Sequence, residues 1–250
     1  MPRRSPRIAV ARPEDLAEIR AWLELQEKIG VEATFLCNWA QIERAQAEGE
    51  LLVYLDPATG SRLGFQLGGL LTPGILEIRQ DRRGQGLGRE FAEHCMALAF
   101  EAGEDILFIQ CEPHTSIPFW RSMGFTIVDH EGKTYGFQIL HRNLQTAAGE
   151  PVQVEIEWYA EEKNWNNAAA PLQRQVLTGI RTPEDGVQLP VRVHYFDRFA
   201  TGRTQGDTVV RIVVDGVEWY NGKAKYDDAD DVGVSRCRNG FAVDVLYRPT

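Results

Sequence analysis

Ile75-Leu76-Glu77-Ile78-Arg79-Gln80-Asp81-Arg82-Arg83-Gly84-Gln85-Gly86-Leu87-Gly88 joins a short apolar strand to a glycine-dense turn that opens a long helix. Alternate glycines let backbone N–H groups line an inward curve that side chains would block, and the helix beginning near Leu87 adds the positive end of its dipole. Arg82, Arg83 and Arg89 bring positive charge to the same place. The combination suits a phosphate group; the plain alternative is a strand-to-helix turn with surface arginines. Two other glycine motifs fail. Arginine at 89 excludes G-x-G-x-x-G, and Gly132-Lys133-Thr134 has Ile127 where a P-loop needs glycine.

Around this loop, strands and helices alternate. Ile8 and Val10 begin a first strand, and Pro13-Glu14-Asp15 opens a helix with proline and acids in its first turn. Ala17, Ile19, Trp22 and Leu23 supply its apolar face. A second helix is expected over Asn38 to Ala47, then strands over Leu51 to Leu55 and Leu63 to Leu71 around the turn Asp56 to Gly60. The helix after the loop carries Leu87, Phe91, Cys95, Leu98 and Ala99 at three- and four-residue spacing and stops near Gly103, its other face charged. Ile106 to Cys111 reads as a buried strand, followed by a short helix through Phe119 to Met123 that Gly124 ends. Phe125 to Val128 and Tyr135 to Leu140 complete the order β-α-α-β-β-β-α-β-α-β-β.

Beyond the polar, small-residue stretch Gln145 to Gly149 the pattern changes to two-residue alternation. Val152, Val154, Ile156 and Trp158 against Gln153, Glu155 and Glu157 predict one buried and one wet face. Asp215-Gly216, Asn221-Gly222 and Asn239-Gly240 read as hairpin signals. The chain therefore divides into residues 1–146, mixed α/β, and residues 150–250, a smaller all-β antiparallel domain whose role no motif assigns. Trp158, Tyr159, Trp165, Trp219 and Tyr220 suit either a sugar- or peptide-binding face or the core of a small β domain. Asp227 to Asp231 lacks the order of an EF-hand loop and reads as a solvated turn.

Charge narrows the choice of partners. The formal net charge is −9, and outside the loop and the Met1 to Arg7 tail there is no basic patch. Such a chain repels polyanions, so nucleic acid is not an expected partner. Cys37, Cys95, Cys111 and Cys237 form no CxxC pair or zinc spacing and read as small buried hydrophobes; no metal is expected. No apolar run is long enough to span a bilayer, and no signal-type segment follows the basic amino terminus, so a cytoplasmic protein without a membrane partner is expected.

The spacing Arg83-x-x-Gly86-x-Gly88 resembles the pyrophosphate-binding signature of the GNAT superfamily, N-acyltransferases that use acyl-CoA donors. The element order over about residues 6–145 is similar to that fold, whose central strands splay apart to admit CoA. Phe119-Trp120-Arg121-Ser122-Met123-Gly124-Phe125 resembles the family's aromatic-rich segment ending in Gly-Phe. The resemblance implies a GNAT-like mixed sheet, acetyl-CoA as co-substrate, and transfer to a primary amine of a small molecule or protein. Transfer would be direct, within a ternary complex, with a strand amide polarising the thioester oxygen and no covalent enzyme intermediate. It also implies a site: Ile78 and Arg79 beside the pantetheine arm, and Arg83, Gly84, Gln85, Gly86, Leu87, Gly88 and Arg89 on the phosphates. Trp120 departs from the pattern, standing where many members carry a tyrosine that returns a proton to the CoA thiolate. An indole cannot supply that proton. Pro113 likewise stands where many members have asparagine.

Direct attack needs a neutral amine, hence a base or water relay within hydrogen-bond reach. Glu77 and Glu112, on or beside strands flanking the expected splay, are the candidate carboxylates. Partial burial would raise either pKa if its strand register faces the cleft; otherwise each is a solvated or salt-bridged side chain. His114, after the fifth strand, is a third candidate proton carrier. The missing tyrosine keeps open a second reading, a non-catalytic acyl-CoA-binding sensor or protein-interaction module. The acceptor pocket carries no readable code, and the β domain either covers the acceptor side or mediates assembly, a homodimer included.

Overall fold

The computed structural model describes residues 7–32, 34–71, 74–144, 148–161, 170–197 and 207–249. Trp165, residues 1–6 of the basic tail and residues 145–147 of the boundary stretch lie outside them. Contacts divide the chain into two compact units, Met1–Gln138 and Ile139–Thr250.

In the first unit, β1 (Ile8–Val10), β2 (Leu52–Leu55), β3 (Arg62–Leu67) and β4 (Ile75–Ile78) form an antiparallel sheet in that order. Helices α1 (Pro13–Lys28) and α2 (Trp39–Ala47), the latter entered through a 3-10 turn at Phe35–Asn38, lie between β1 and β2 in the chain. After β4 come a 3-10 turn at Gln80–Arg82, α3 (Leu87–Glu101) and β5 (Ile106–Gln110). A further 3-10 turn at His114–Ser116 leads into α4 (Ile117–Ser122), β6 (Thr126–His130) and β7 (Lys133–Ile139). β5, β7 and β6 make a separate three-stranded sheet. Among the described residues no ladder joins β4 to β5; an isolated parallel bridge, Leu71 to Phe108, links the sheets instead. The splayed α/β arrangement expected from the sequence is present.

Helical spacing explains the core. Ile19, Trp22 and Leu23 of α1 pack in one cluster with Val53, Phe65 and Leu67, and Gln26 continues the same buried stripe. α3 buries His94, Met96 and Ala97 besides Phe91, Cys95 and Ala99, a wider arc than the single stripe expected. β3 ends at Leu67 rather than Leu71. Gly68, Gly69 and Leu70 take φ values of 76°, 58° and 62°, which an extended strand does not tolerate.

In the second unit, seven strands form one antiparallel sheet: β8 (Pro151–Ala160), β9 (Gln173–Arg181), β10 (Val187–Phe196), β11 (Thr208–Val214), β12 (Val217–Lys223), β13 (Val234–Cys237) and β14 (Gly240–Leu246). Their order is β12-β11-β8-β9-β10-β14-β13. Val152, Val154, Ile156 and Trp158 are all in its core, with Trp158 stacked on Tyr195 at 4.7 Å between ring centroids. Asp215 and Gly216, at φ 48° and 78°, close the β11–β12 hairpin as expected.

Several expectations need correction. Glu157 is buried, because Arg211, Arg174 and the Tyr159 hydroxyl surround its carboxylate. Asn221-Gly222 is not a turn; it lies inside β12, paired with Arg211 and Val210. A Cβ at Gly222 would sit 2.7 Å from the Tyr220 phenol oxygen, so this glycine serves a close approach. The last hairpin turns at Arg238-Asn239, since Gly240 already pairs with Cys237. The acidic run is a short helix, α5 (Asp227–Asp231), anchored by the buried Ala229. Cys95 and Cys111 are buried, but Cys37, on the 3-10 turn before α2, is exposed and Cys237 is half-buried. Among the described residues, no cluster of three or more His, Cys, Asp or Glu side chains could hold a metal ion. No described helix is long and apolar enough to cross a membrane.

Candidate functional site

A cleft of about 690 Å³ runs along β4 and the glycine loop, and the ends of β5 and α4 also line it. This is the volume of a small-molecule site. Because β4 and β5 diverge, the main chain on one side of β4 is free of a strand partner. Arg79 donates its N–H to Leu63 at 2.8 Å; by strand alternation Ile78 faces the opposite way, into the cleft.

The loop is built as its glycines suggest. Gly84 and Gly86 take φ of 76° and 82°, and Gly86 is the N-cap of α3. A Cβ at either position would meet no protein atom within 4 Å, so glycine is demanded by the backbone angle and the curve stays open. Glu90 N–H makes the first intrahelical bond, to Gly86 C=O at 3.1 Å. The N–H groups of Leu87, Gly88 and Arg89 precede it and project from the helix end. Phe119 packs beside Gly88, 3.6 Å from where a Cβ would lie. Arg82, Arg83 and Arg89 all line the cleft. Arg83 Nε donates to Ile78 C=O at 2.9 Å, and Arg89 donates to the Ser122 hydroxyl at 2.9 Å. Open glycine backbone, a helix N-terminus and three guanidinium groups fit a diphosphate.

Glu77 lies in the same cleft, only 3% exposed. Gln26 Nε2 donates to its Oε1 at 2.9 Å, Phe35 N–H donates to its Oε2 at 3.3 Å, and Arg83 Nη2 stands 3.7 Å from Oε1. Burial pushes the carboxyl pKa up to about 7, against the opposing pull of the two hydrogen bonds and the guanidinium. A carboxylate that changes charge near neutrality inside a cleft suits proton transfer.

The other sequence candidates divide. Ile78, Gly84, Gly86, Leu87, Gly88, Glu112 and Trp120 line the cleft, Glu112 as an exposed side chain. Trp120 is buried, edge-on to Phe119 and Phe125. Arg79, Gln85 and His114 are not in the lining. The Arg79 guanidinium is paired with Asp81 at 2.7 Å, the Gln85 amide turns back to the Asp81 carbonyl, and His114 is exposed. Gln26, which bonds Glu77, belongs to no sequence motif. Its signal is a polar residue on the apolar stripe of α1, in step with Ile19, Trp22 and Leu23.

Comparison with curated proteins finds no match. Solved structures similar to the chain include a GNAT-family acetyltransferase from Listeria monocytogenes 4b F2365, 14% identical, covering 53% of this chain and 94% of that one, with a TM-score of 0.44. A ribosomal-protein-alanine N-acetyltransferase from Brucella melitensis is 21% identical, with coverage of 53% and 99% and a TM-score of 0.42. A Mycobacterium tuberculosis protein in complex with CoA is 14% identical, with coverage of 54% and 99% and a TM-score of 0.40. The family model described as the acetyltransferase (GNAT) family matches residues 20–125. That segment, holding β4, the glycine loop, Glu77 and Trp120, is a GNAT acetyltransferase-family domain.

Proposed function

We propose that this protein transfers an acetyl group from acetyl-CoA to a primary amine, with Glu77 as the base. The observation that carries the reading is a sheltered carboxylate, titrating near neutrality, in one cleft with the glycine loop and the α3 N-terminus. In this reading Arg83, Arg89 and the loop N–H groups hold the diphosphate, and the main chain of Ile78 lies beside the pantetheine arm. Phe35, Asn38 and Gln41 line the cleft on the α2 side and offer the acceptor one apolar ring and two amides.

Acetyl-CoA supplies an activated carbonyl carbon. The acceptor nitrogen bonds to that carbon, the carbon–sulfur bond breaks, and Glu77 takes the proton the nitrogen must lose. Glu112, exposed at the cleft, is placed to exchange protons with solvent. Trp120 offers no hydroxyl, so the sulfur takes its proton from water, and Glu77 gives up the proton it took to the hydroxide left behind, which restores the carboxylate.

Thiol release from acetyl-CoA, measured against a panel of primary amines, tests the reading. Amine-dependent release is expected in wild type and should fall by about 10²–10⁴-fold in Glu77→Gln while acetyl-CoA still binds. Binding with no amine-dependent release would favour a non-catalytic acyl-CoA sensor, the reading that the indole at position 120 supports.

A further inference from the structure

We propose that Gln26 is a positioning residue that joins Glu77 to the glycine loop, so that the proton on Glu77 and a ligand on the loop are linked through one side-chain amide. The proposal rests on the reading of Glu77 as the base. Gln26 is 3% exposed, and its two hydrogen bonds fix its orientation chemically. Gln80 N–H, at the start of the turn that leads to Arg83 and the loop, reaches Gln26 Oε1 at 2.7 Å. A backbone N–H only donates, so this end of the amide is the carbonyl oxygen. The other end is therefore the NH₂ group, which donates to Glu77 Oε1 at 2.9 Å.

The bond from Gln26 to Glu77 is strong when the carboxylate is charged and weaker when it is protonated. A proton arriving on Glu77 therefore loosens the amide that also holds Gln80. In the reverse direction, a ligand that draws Arg83 and the Gln80–Arg82 turn toward itself changes the hold on Glu77, and the two effects are equal by linkage. Among the described residues, few groups face the carboxylate. α1 contributes the Gln26 amide, the turn before α2 contributes the Phe35 N–H, and β3 places Phe65 opposite in register. The loop contributes Arg83, the charge that acts on it.

The test follows the Glu77 side-chain carboxyl by ¹³C NMR in the full chain, its signal assigned by loss in Glu77→Gln. Titrations of wild type, Gln26→Met and Gln26→Glu are compared, and acetyl-CoA affinity is measured for each. The wild-type midpoint is expected near 7. Gln26→Met keeps the side-chain length but removes both bonds; its midpoint should rise by about one pH unit or more, and acetyl-CoA affinity should fall several-fold. Gln26→Glu keeps an acceptor for Gln80 and sets a second carboxyl against Glu77, so the midpoint should rise while affinity stays near wild type. If the methionine variant does not fold, Gln26→Asn, whose shorter amide cannot span both partners, carries the test with the same expected shifts. A purely structural Gln26 would lower the melting temperature and leave the Glu77 midpoint in place in the methionine and asparagine variants, which would overturn the proposal. Failure of wild type to bind acetyl-CoA would instead sink the functional reading, whatever the midpoints do.

Discussion

Glu77 on β4 and Glu157 on β8 are both buried strand glutamates, 3% and 6% exposed, with opposite surroundings. Among the described residues the cation paired with Glu77 is Arg83 at 3.7 Å; the hydrogen bonds to Glu77 come from a neutral amide and a backbone N–H. Glu157 meets Arg211 at 2.9 Å, Arg174 at 3.5 Å and the Tyr159 hydroxyl at 2.8 Å. Burial pushes both pKa values up. At Glu157 the hydroxyl and guanidinium bonds outweigh it and the pKa falls below its ordinary value, whereas at Glu77 it settles near 7. Burial holds a carboxyl pKa near neutrality only where full pairing is withheld. Glu157 ties β8 to β9 and β11; Glu77 faces a cleft.

Exchanging the two sites should separate chemistry from stability. Glu77→Gln is expected to lower amine-dependent turnover by about 10²–10⁴-fold, and Glu157→Gln to leave it within about twofold, in the same thiol-release assay. Comparable losses from both would erase the distinction. In denaturant unfolding, Glu157→Gln should cost about 1–2 kcal/mol, because water can reach the partly exposed Arg174 and Arg211 once the carboxylate is gone.

The pH dependence should run in opposite directions. The folded pKa of Glu77 lies above its ordinary value of 4.5, so its stabilising contribution is complete below 4.5 and lost as pH rises through about 7. Wild type should therefore lose stability relative to Glu77→Gln between pH 5 and 8. Glu157 is depressed, so its contribution is present above 4.5 and lost as pH falls below that value. Wild type should lose its advantage over Glu157→Gln in acid. Chemical denaturation at pH 3, 5 and 8 checks both signs. The smallest effect expected is that of Arg83→Leu, which removes the cation paired with Glu77. Its partly exposed guanidinium acts through water, so the Glu77 midpoint should rise by about half a pH unit, less than in Gln26→Met.

What could be read from the residues follows from how local each signal is. The loop was legible because glycine at 84 and 86 and the start of α3 are dictated by neighbours within a few positions, and Asp215-Gly216 announced its hairpin for the same reason. Glu77 was legible as a candidate, and its burial as one of two alternatives that strand register decides, since its surroundings depend on α1 and the turn before α2, about fifty and forty residues away in sequence. Gln26 carried a signal, a polar residue at core spacing, but its two partners are long-range. Glu157 was misjudged because alternation assigns a face, whereas Arg174 and Arg211 on neighbouring strands cover that face. Asn221-Gly222 misled because a turn-forming dipeptide was used instead to make room for Tyr220.

Calorimetric titration of acetyl-CoA into wild type and into the Arg83→Glu, Gly86→Trp double variant tests the central claim most directly, since it asks whether the cleft beside Glu77 holds the acyl donor. Saturable binding to wild type is expected, and its loss in the variant, whose substitutions lie on the loop and whose fold is checked by an unchanged circular dichroism spectrum because position 86 takes a left-handed backbone angle. No binding to wild type, or equal binding to both proteins, would contradict it.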